Sequence, residues 1–348
     1  MIMSRDCWLL CLAALQALVG DGLYAAGVKL RVGHFPNITH AQAVIARGLA
    51  REGKPWFEPR LGPDVELQWF SYNAGPSAME AILTKSIDLT YVGVSPTLNA
   101  HLRTAGREVR VVAGACSGGA ALVVQGDGPI HADADFRGRR VATPQLGNTQ
   151  DVAARAWLLS KGLRVTMTGG DALVIPTANP DQLTLFQKKD LDAVWTVEPW
   201  VTRLITEAGG RVYLDEGSLW KETGGRYTTT HLVSTVALLE GQKPLLRKFL
   251  VAHIELTDWI VAHPAEAQAV FNREFKEETR KAMSPEVLRE AWKRLEFTPD
   301  PIKPSLLRSA ESARKVGFYR QAPDLSHIYE LGILNEALRE RGKQPIAQ

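Results

Sequence analysis

Four phrases of the sequence set small, hydroxyl or amide side chains where a strand-like run gives way to a helix-like one. They are His34-Phe35-Pro36-Asn37-Ile38-Thr39, Asn73-Ala74-Gly75-Pro76-Ser77, Gly93-Val94-Ser95-Pro96-Thr97 and Ala142-Thr143-Pro144-Gln145-Leu146-Gly147-Asn148-Thr149-Gln150-Asp151. The first backbone N–H groups of a helix lack intrahelical partners, and together with the helix dipole they attract an anion without a cationic side chain. None of the four phrases contains Lys or Arg. The chemistry they can do together is therefore reversible capture of a small negative charge by neutral donors. A lysine-lined pocket would hold the anion as a point charge and attract phosphate as well. Taken singly, Thr39, Ser77 or Ser95 reads as an ordinary helix N-cap. What sets them apart is that three such starts follow neighbouring strands and are expected to point the same way.

Constellations that make or break covalent bonds do not assemble in the sequence. There is no G-x-x-x-x-G-K-[ST] loop, and the one G-x-G-x-x-A match, Gly20, Gly22 and Ala25, falls in the N-terminal segment. Gly93 to Thr97 fails the G-x-S-x-G elbow at its last position. The eight histidines show no zincin spacing; His253 and His263 read as surface or core residues, and neither a metal nor a cofactor is expected.

The elements that must position these phrases alternate. Strand-like runs at 28–35, 65–72, 88–92 and 109–115 are separated by helix-like runs at 39–51, 76–85 and 96–105, the pattern of βαβ units with a ligand site outside the carboxyl ends of the strands. A second series follows, with strands at 121–124, 140–142, 172–175, 193–196 and 211–214 and helices at 150–161 and 181–188. The stretch 228–239 reads as a return strand. From Lys243 the chain reads as amphipathic helix, at 244–262, 265–275, 285–295, 304–319 and 325–341. The expected architecture is two α/β lobes with a cleft between them and a helical C-terminal tail. Residues 27–117 and 228–348 form the first lobe and 118–227 the second, and the chain crosses twice through Gly-containing segments near 116–120 and 216–228.

Arg5 followed by the uncharged apolar run Cys7 to Val19, then Ala25 and Ala26, reads as a signal peptide over 1–26. The run is shorter than the roughly 20 residues a spanning helix needs. An uncleaved anchor or a buried N-terminal helix is the other reading. Setting aside the one positive and two negative charges of that segment, the formal charge moves from +3 to +4, with no basic stripe of the kind nucleic acid requires. Of three cysteines only Cys116 lies beyond it, so no internal disulfide is expected; Cys116 and Ser117 read as buried residues at a lobe crossing.

The phrase around Gly147 resembles the strand–glycine–helix signature of periplasmic solute-binding proteins of the nitrate, sulfonate and taurine type, the SsuA/TauA-like or NMT1-like group. His34 to Ala43, Gly75 to Ile82, Asp88 to Gly93 and Leu191 to Trp200 are similar to further parts of that group, in order, over about 28–260. The resemblance implies a type II periplasmic-binding-protein fold that closes on a small anion or zwitterion and presents it, as a monomer, to the permease of an ABC importer. It places ligand contacts at His34, Asn37, Gly75, Ser77, Ser95, Gly147, Asn148, Thr149, Gln150, Trp195 and Glu198. Three of these carry a second reading. His34 either meets the ligand or makes a structural hydrogen bond; Trp195 either shields an apolar tail or belongs to the core. Glu198 either pairs with an arginine or backbone donor, or receives the amino group of a taurine-like zwitterion. An aliphatic sulfonate or taurine is the expected solute. Nitrate, bicarbonate or a thiamine-pyrimidine precursor is the alternative, as is an enzyme on the same fold; the thiamine-precursor synthases that resemble this group carry a cysteine-rich iron motif absent here.

Overall fold

The computed structural model describes residues 27–347, so the expected signal peptide at 1–26 lies outside the described residues. Along the chain come β1 (Val28–His34), α1 (Ala41–Arg51), α2 (Glu58–Leu61), β2 (Val65–Ser71), α3 (Gly75–Leu83), β3 (Leu89–Val92), α4 (Val94–Arg103) and β4 (Val109–Gly118). Next are β5 (Ala120–Gln125), β6 (Arg140–Thr143), α5 (Thr149–Ser160), β7 (Leu173–Pro176), α6 (Asn179–Gln187), β8 (Ala193–Val197), α7 (Trp200–Ala208) and β9 (Gly210–Asp215). The remainder is β10 (Thr228–Thr235), α8 (Val236–Gly241), α9 (Lys243–Ala262), α10 (Pro264–Thr279), α11 (Pro285–Trp292), β11 (Leu295–Phe297), α12 (Lys303–Lys315) and α13 (Gly332–Glu340).

These strands build two sheets, ordered β11-β4-β10-β3-β1-β2 and β7-β6-β8-β5-β9. In the first, β1 pairs in parallel with β2 and β3 while β10 runs antiparallel between β3 and β4. Strands β3 and β10 are buried along their whole length and β2, at the edge, is partly exposed, as expected of a sheet covered on both faces at its centre. One face packs on α1, α9 and α10 through Leu49, Phe249 and Phe271, the other on α3, α4 and α12 through Ile82, Leu98 and Leu306. The second sheet is sandwiched likewise between α5, through Trp157 against Trp195 of β8, and α6 and α7, through Phe186 and Val201.

The chain passes from the first sheet to the second at Gly118 and Gly119, both in the left-handed region (φ 82° and 78°). A Cβ at Gly118 would stand 2.7 Å from the Arg294 carbonyl oxygen, so the crossing needs glycine for both its conformation and its space. It returns into β10 after β9, with the aromatic pair Trp220 and Tyr227 stacked between (5.6 Å, 8°).

The reading of the chain from Thr228 onward needs three corrections. The helix expected over 285–295 stops at Trp292, because Leu295 to Phe297 adds an antiparallel strand to β4, opposite Gly118 to Cys116. The helix expected over 325–341 begins only at Gly332; ahead of it Tyr329 bridges Val111 and the Ile328 carbonyl accepts from the Val111 amide. The return strand expected over 228–239 ends at Thr235, whose side chain caps α8 by accepting from Leu238 N–H. In each case tertiary pairing or a cap overrides an apolar period that fitted a longer element. No helix among the described residues is long and apolar enough to cross a membrane.

Candidate functional site

Between the two sheets lies a cavity of about 30 Å3, bordered by Asn37, His40, Asn73, Gly75, Gly93 and Pro96 from one side and by Pro144, Asn148, Thr149, Gln150, Asn179 and Val197 from the other. Thr229 and Thr230, on the strand that re-enters the first sheet, close it from below. On the same measure one water needs about 10–15 Å3, so the space suits a group of very few heavy atoms. The lobes are drawn tightly together here. Ser95 N–H donates across the gap to Thr149 Oγ1 (3.3 Å), and Trp200 Nε1 donates to Asn37 Oδ1 (3.0 Å). A Cβ on Gly93 would stand 2.4 Å from Thr149 Oγ1, so glycine at 93 lets the lobes approach this closely.

Five helix starts meet at this cavity: the 3₁₀ turn at Ile38 leading into α1, then α3, α4, α5 and α6. At the turn and at α1, α3 and α6 no side chain caps the first amides, and at α4 the one side chain that does so is Thr149 from across the gap, at Ser95 N–H. The α3 start carries proline at its first turn, and its N-cap is Ala74, which has no acceptor. The dipole and free N–H groups are therefore left for whatever enters. The fifth start, α5, is built differently. Asn148 Oδ1 accepts from Asp151 N–H (2.8 Å), and the Asp151 carboxylate accepts from Gly147 N–H and Thr143 Oγ1 (both 2.9 Å). Arg155 Nε meets both Asp151 oxygens at 3.1 Å, and both side chains are buried. The loop before α5 is thus clamped from beneath while its upper residues, Asn148 to Gln150, face the cavity.

Two further donors add to the helix starts. His40 Nδ1 accepts from Phe35 N–H (3.3 Å). Burial, and after it the charge of His34, holds the ring well below its ordinary pKa, so a neutral imidazole carries its proton on Nε2. The hydroxyl of Thr230 is buried without any hydrogen-bond partner, a cost that a polar group from the cavity would offset. Among the described lining residues there is no carboxylate, lysine or arginine.

A sequence model of the NMT1-like family matches residues 25–273. The chain belongs to the NMT1-like family. Among curated proteins it is 28% identical over 166 residues to a protein of Escherichia coli (strain K12) named for aliphatic sulfonates binding, covering 47% of this chain. The chain spans about half the length of that curated relative (50%). Among solved structures, the alkanesulfonate-binding protein SsuA from Xanthomonas axonopodis pv. citri bound to MOPS superposes with a TM-score of 0.67 at 18% identity, over 86% of this chain and 96% of that one. The periplasmic nitrate-binding protein NrtA from Synechocystis PCC 6803 does so with a TM-score of 0.68 at 14% identity, over 90% and 89%. At such identities the likeness speaks for the fold: two α/β lobes of the periplasmic-binding-protein kind, with the type II order β2-β1-β3-β10-β4 in the first sheet of this NMT1-like protein.

Of the eleven residues expected at the ligand, Asn37, Gly75, Asn148, Thr149 and Gln150 border the cavity. Six do not. His34 is fully buried and its Nε2 meets the Glu278 carboxylate at 3.0 and 3.1 Å, the structural hydrogen bond. Ser77 donates to the Ala74 carbonyl (2.8 Å) one turn into an otherwise uncapped helix. Ser95 presents its amide to Thr149, and its own hydroxyl is buried without a partner outside the cavity lining. Gly147 is turned toward Phe318 and Asn99, its amide spent on Asp151. Trp195 is core, with Nε1 donating to Glu216 (2.8 Å). Glu198 accepts from Thr202 N–H (3.0 Å) and Thr202 Oγ1 (2.9 Å), with Arg294 Nε at 3.1 Å, so its oxygens are occupied.

Asn73, His40, Asn179, Thr229 and Thr230 line the cavity and were absent from the expected ligand contacts. Asn73 and His40 stood inside phrases already singled out. Asn179 precedes Pro180 at a helix start, the signature seen at Gly75-Pro76, but the expected helix began at Asp181. Thr229 and Thr230 belong to a run of three threonines at the lobe crossing, read only as strand; a hydroxyl triplet where the chain re-enters a sheet was the available signal.

Proposed function

We propose that this protein is an extracytoplasmic solute-binding subunit of an ABC importer, acting in the periplasm without turnover, and that its solute is a small organic anion, an aliphatic sulfonate first. The observation that carries the reading is the convergence of uncapped helix starts and neutral donors on one uncharged cavity. Such a site stabilises a sulfonate through several amide and hydroxyl hydrogen bonds at once, each charge-assisted, and releases it because no cationic side chain must be abandoned. Membership of the NMT1-like family and the names of its sulfonate- and nitrate-binding relatives support the same class. A plain anion fits better than taurine: the carboxylate that would receive an ammonium group, Glu198, is held by Thr202 and Arg294.

Isothermal titration calorimetry of the mature chain against methanesulfonate, butanesulfonate, taurine, nitrate, bicarbonate and a pyrimidine precursor tests the reading. The expected result is one-to-one binding of sulfonates, with taurine weaker than butanesulfonate. Binding of the pyrimidine alone, or of nitrate with no sulfonate, would replace the solute assignment.

A further inference from the structure

Beside the donor-lined cavity lies a second, larger space of about 390 Å3, between α5 of the second lobe and α12, which packs on the first. Its walls are Val152, Ala153, Ala156 and Trp157 on one side, Leu219 and Trp220 at the crossing segment, and Ser309 and Ser312 on the other. The two spaces share Thr149, whose Oγ1 accepts at 3.3 Å from the amide of Ser95, a residue of the larger space. Ser95, which borders the larger space, is 2% exposed and its hydroxyl has no partner. A buried hydroxyl left unpaired at the boundary of two cavities calls for an occupant that passes it.

The charges at the far rim are neutralised. Arg308 donates to Glu222 (2.6 Å) and lies 4.6 Å over the Trp220 ring, and Lys315 stands 3.8 Å from Glu311. Glu216, buried in the same wall, accepts from Trp195 Nε1 (2.8 Å), so the walls offer mainly apolar surface and an aromatic face in place of a second ionic anchor. We propose that this chamber holds the uncharged hydrocarbon or aryl tail of the ligand while its anionic head sits among the helix starts, so that the solute class is organic anions with tails of several carbons. The proposal rests on the head-site reading above and adds selectivity for length. In it, the Ser95–Thr149 contact opens as the tail threads through, and the Ser95 hydroxyl takes up a partner on the linking atoms.

The experiment is calorimetry of methane-, butane-, octane- and benzenesulfonate against the parent protein and two chamber-filling variants, Ala156→Phe from the α5 wall and Ser309→Phe from the α12 wall. The parent is expected to tighten by roughly three- to four-fold for each methylene added between butane and octane, the ratio that burying one CH₂ gives. Both variants are expected to lose that gain, ten-fold or more for octanesulfonate, and to bind methanesulfonate as the parent does. Two opposite walls keep the test standing if one variant fails to melt cooperatively near the parent. Affinity independent of tail length, or a tail gain that survives both fillings, overturns the chamber alone. Failure of every sulfonate to bind overturns the head site and the chamber with it.

Discussion

The start of α3 on the first lobe reaches the cavity with no side chain on its amides, and that of α4 meets only Thr149 Oγ1 from across the gap, whereas α5 on the second arrives capped by Asn148 and clamped by Asp151 and Arg155. Buried acids differ between the lobes in the same way. On the first, Glu274 and Glu278 sit outside the cavity lining among Arg47, Arg51 and His34. On the second, Glu198 and Glu216 are buried with fewer cations around them, and both are pushed up to about 7 by burial. The contrast separates two tasks: uncapped amides supply attraction for a charge, and a braced loop supplies the fixed geometry against which the lobes shut. Removing a donor on the first kind of start should cost binding, and removing the brace on the second should cost folding.

The sharpest way to break that division is Asp151→Ala. It strands the buried Arg155 and frees Gly147 N–H and Thr143 Oγ1 at once. A broken buried pair costs about 3–5 kcal/mol, and urea unfolding should show a loss of that size. A loss under about 1 kcal/mol would mean the loop needs no brace.

Next in size is the pH response. Glu198 and Glu216 titrate at about 7 when folded, against an ordinary value of 4.5, with burial as the leading cause for each. Between those values the folded state holds more protons than the unfolded one, so stability falls as pH rises through about 4.5 to 7 and levels off above. Linkage sets the change at up to about 3 kcal/mol per carboxyl. On the first lobe Glu278 runs the other way: burial raises it, but the His34 hydrogen bond and the charges of His34 and Arg47 outweigh that and lower it, so its contribution is lost as pH falls through its folded value. Urea midpoints from pH 5 to 8 should decline in the parent and decline less steeply in Glu198→Gln and in Glu216→Gln, each of which leaves the other carboxyl in place. An unchanged slope in both variants would place the titration elsewhere.

The alternation of strands and helices, the two lobes' worth of elements and four of the five helix starts were legible because period, proline and glycine are local signals. For that reason the expected contacts included Asn37, Gly75 and Asn148 to Gln150, which border the cavity. What was not legible is the direction in which a side chain leaves its element once tertiary partners compete for it. His34 and His40 lie six positions apart in one phrase, yet His34 turns to Glu278 on α10, more than two hundred residues away, while His40 borders the cavity. Glu198 read as a possible amino-group acceptor because Arg294, its partner, comes from a segment expected to be plain helix. Thr230 was missed since an unpaired hydroxyl can be recognised only once its surroundings are known.

Within the cavity, two hydroxyls distinguish attraction from packing. Thr149→Val removes a lining hydroxyl and the acceptor of the Ser95 amide, and should weaken sulfonate binding by about 1.5–3 kcal/mol, the scale of one hydrogen bond to a charged group. Thr230→Val should also weaken binding, by about 1 kcal/mol, but it removes a hydroxyl buried without a partner. The unliganded protein should therefore melt at the same temperature or higher, since replacing an unsatisfied polar group by an apolar one of the same shape is neutral or favourable. A lower melting temperature with binding unchanged would make Thr230 a packing residue.

The smallest effect belongs to Ser77→Ala, and its smallness is the point. From sequence, Ser77 and Thr149 are equivalent, each a hydroxyl at a helix start after a strand. In the fold, Ser77 lies one turn into α3, outside the cavity lining, and spends its proton on the Ala74 carbonyl at 2.8 Å. What α3 offers the cavity is Gly75 and its uncapped backbone, which the substitution leaves in place. Sulfonate affinity should change by less than about 0.5 kcal/mol, the ordinary range for a surface substitution, while Thr149→Val shows its larger loss in the same titration. Equal losses in the two would mean that side-chain hydroxyls, and not free amides, carry the first lobe's share of binding, and the contrast between an open start and a braced one would have to be redrawn.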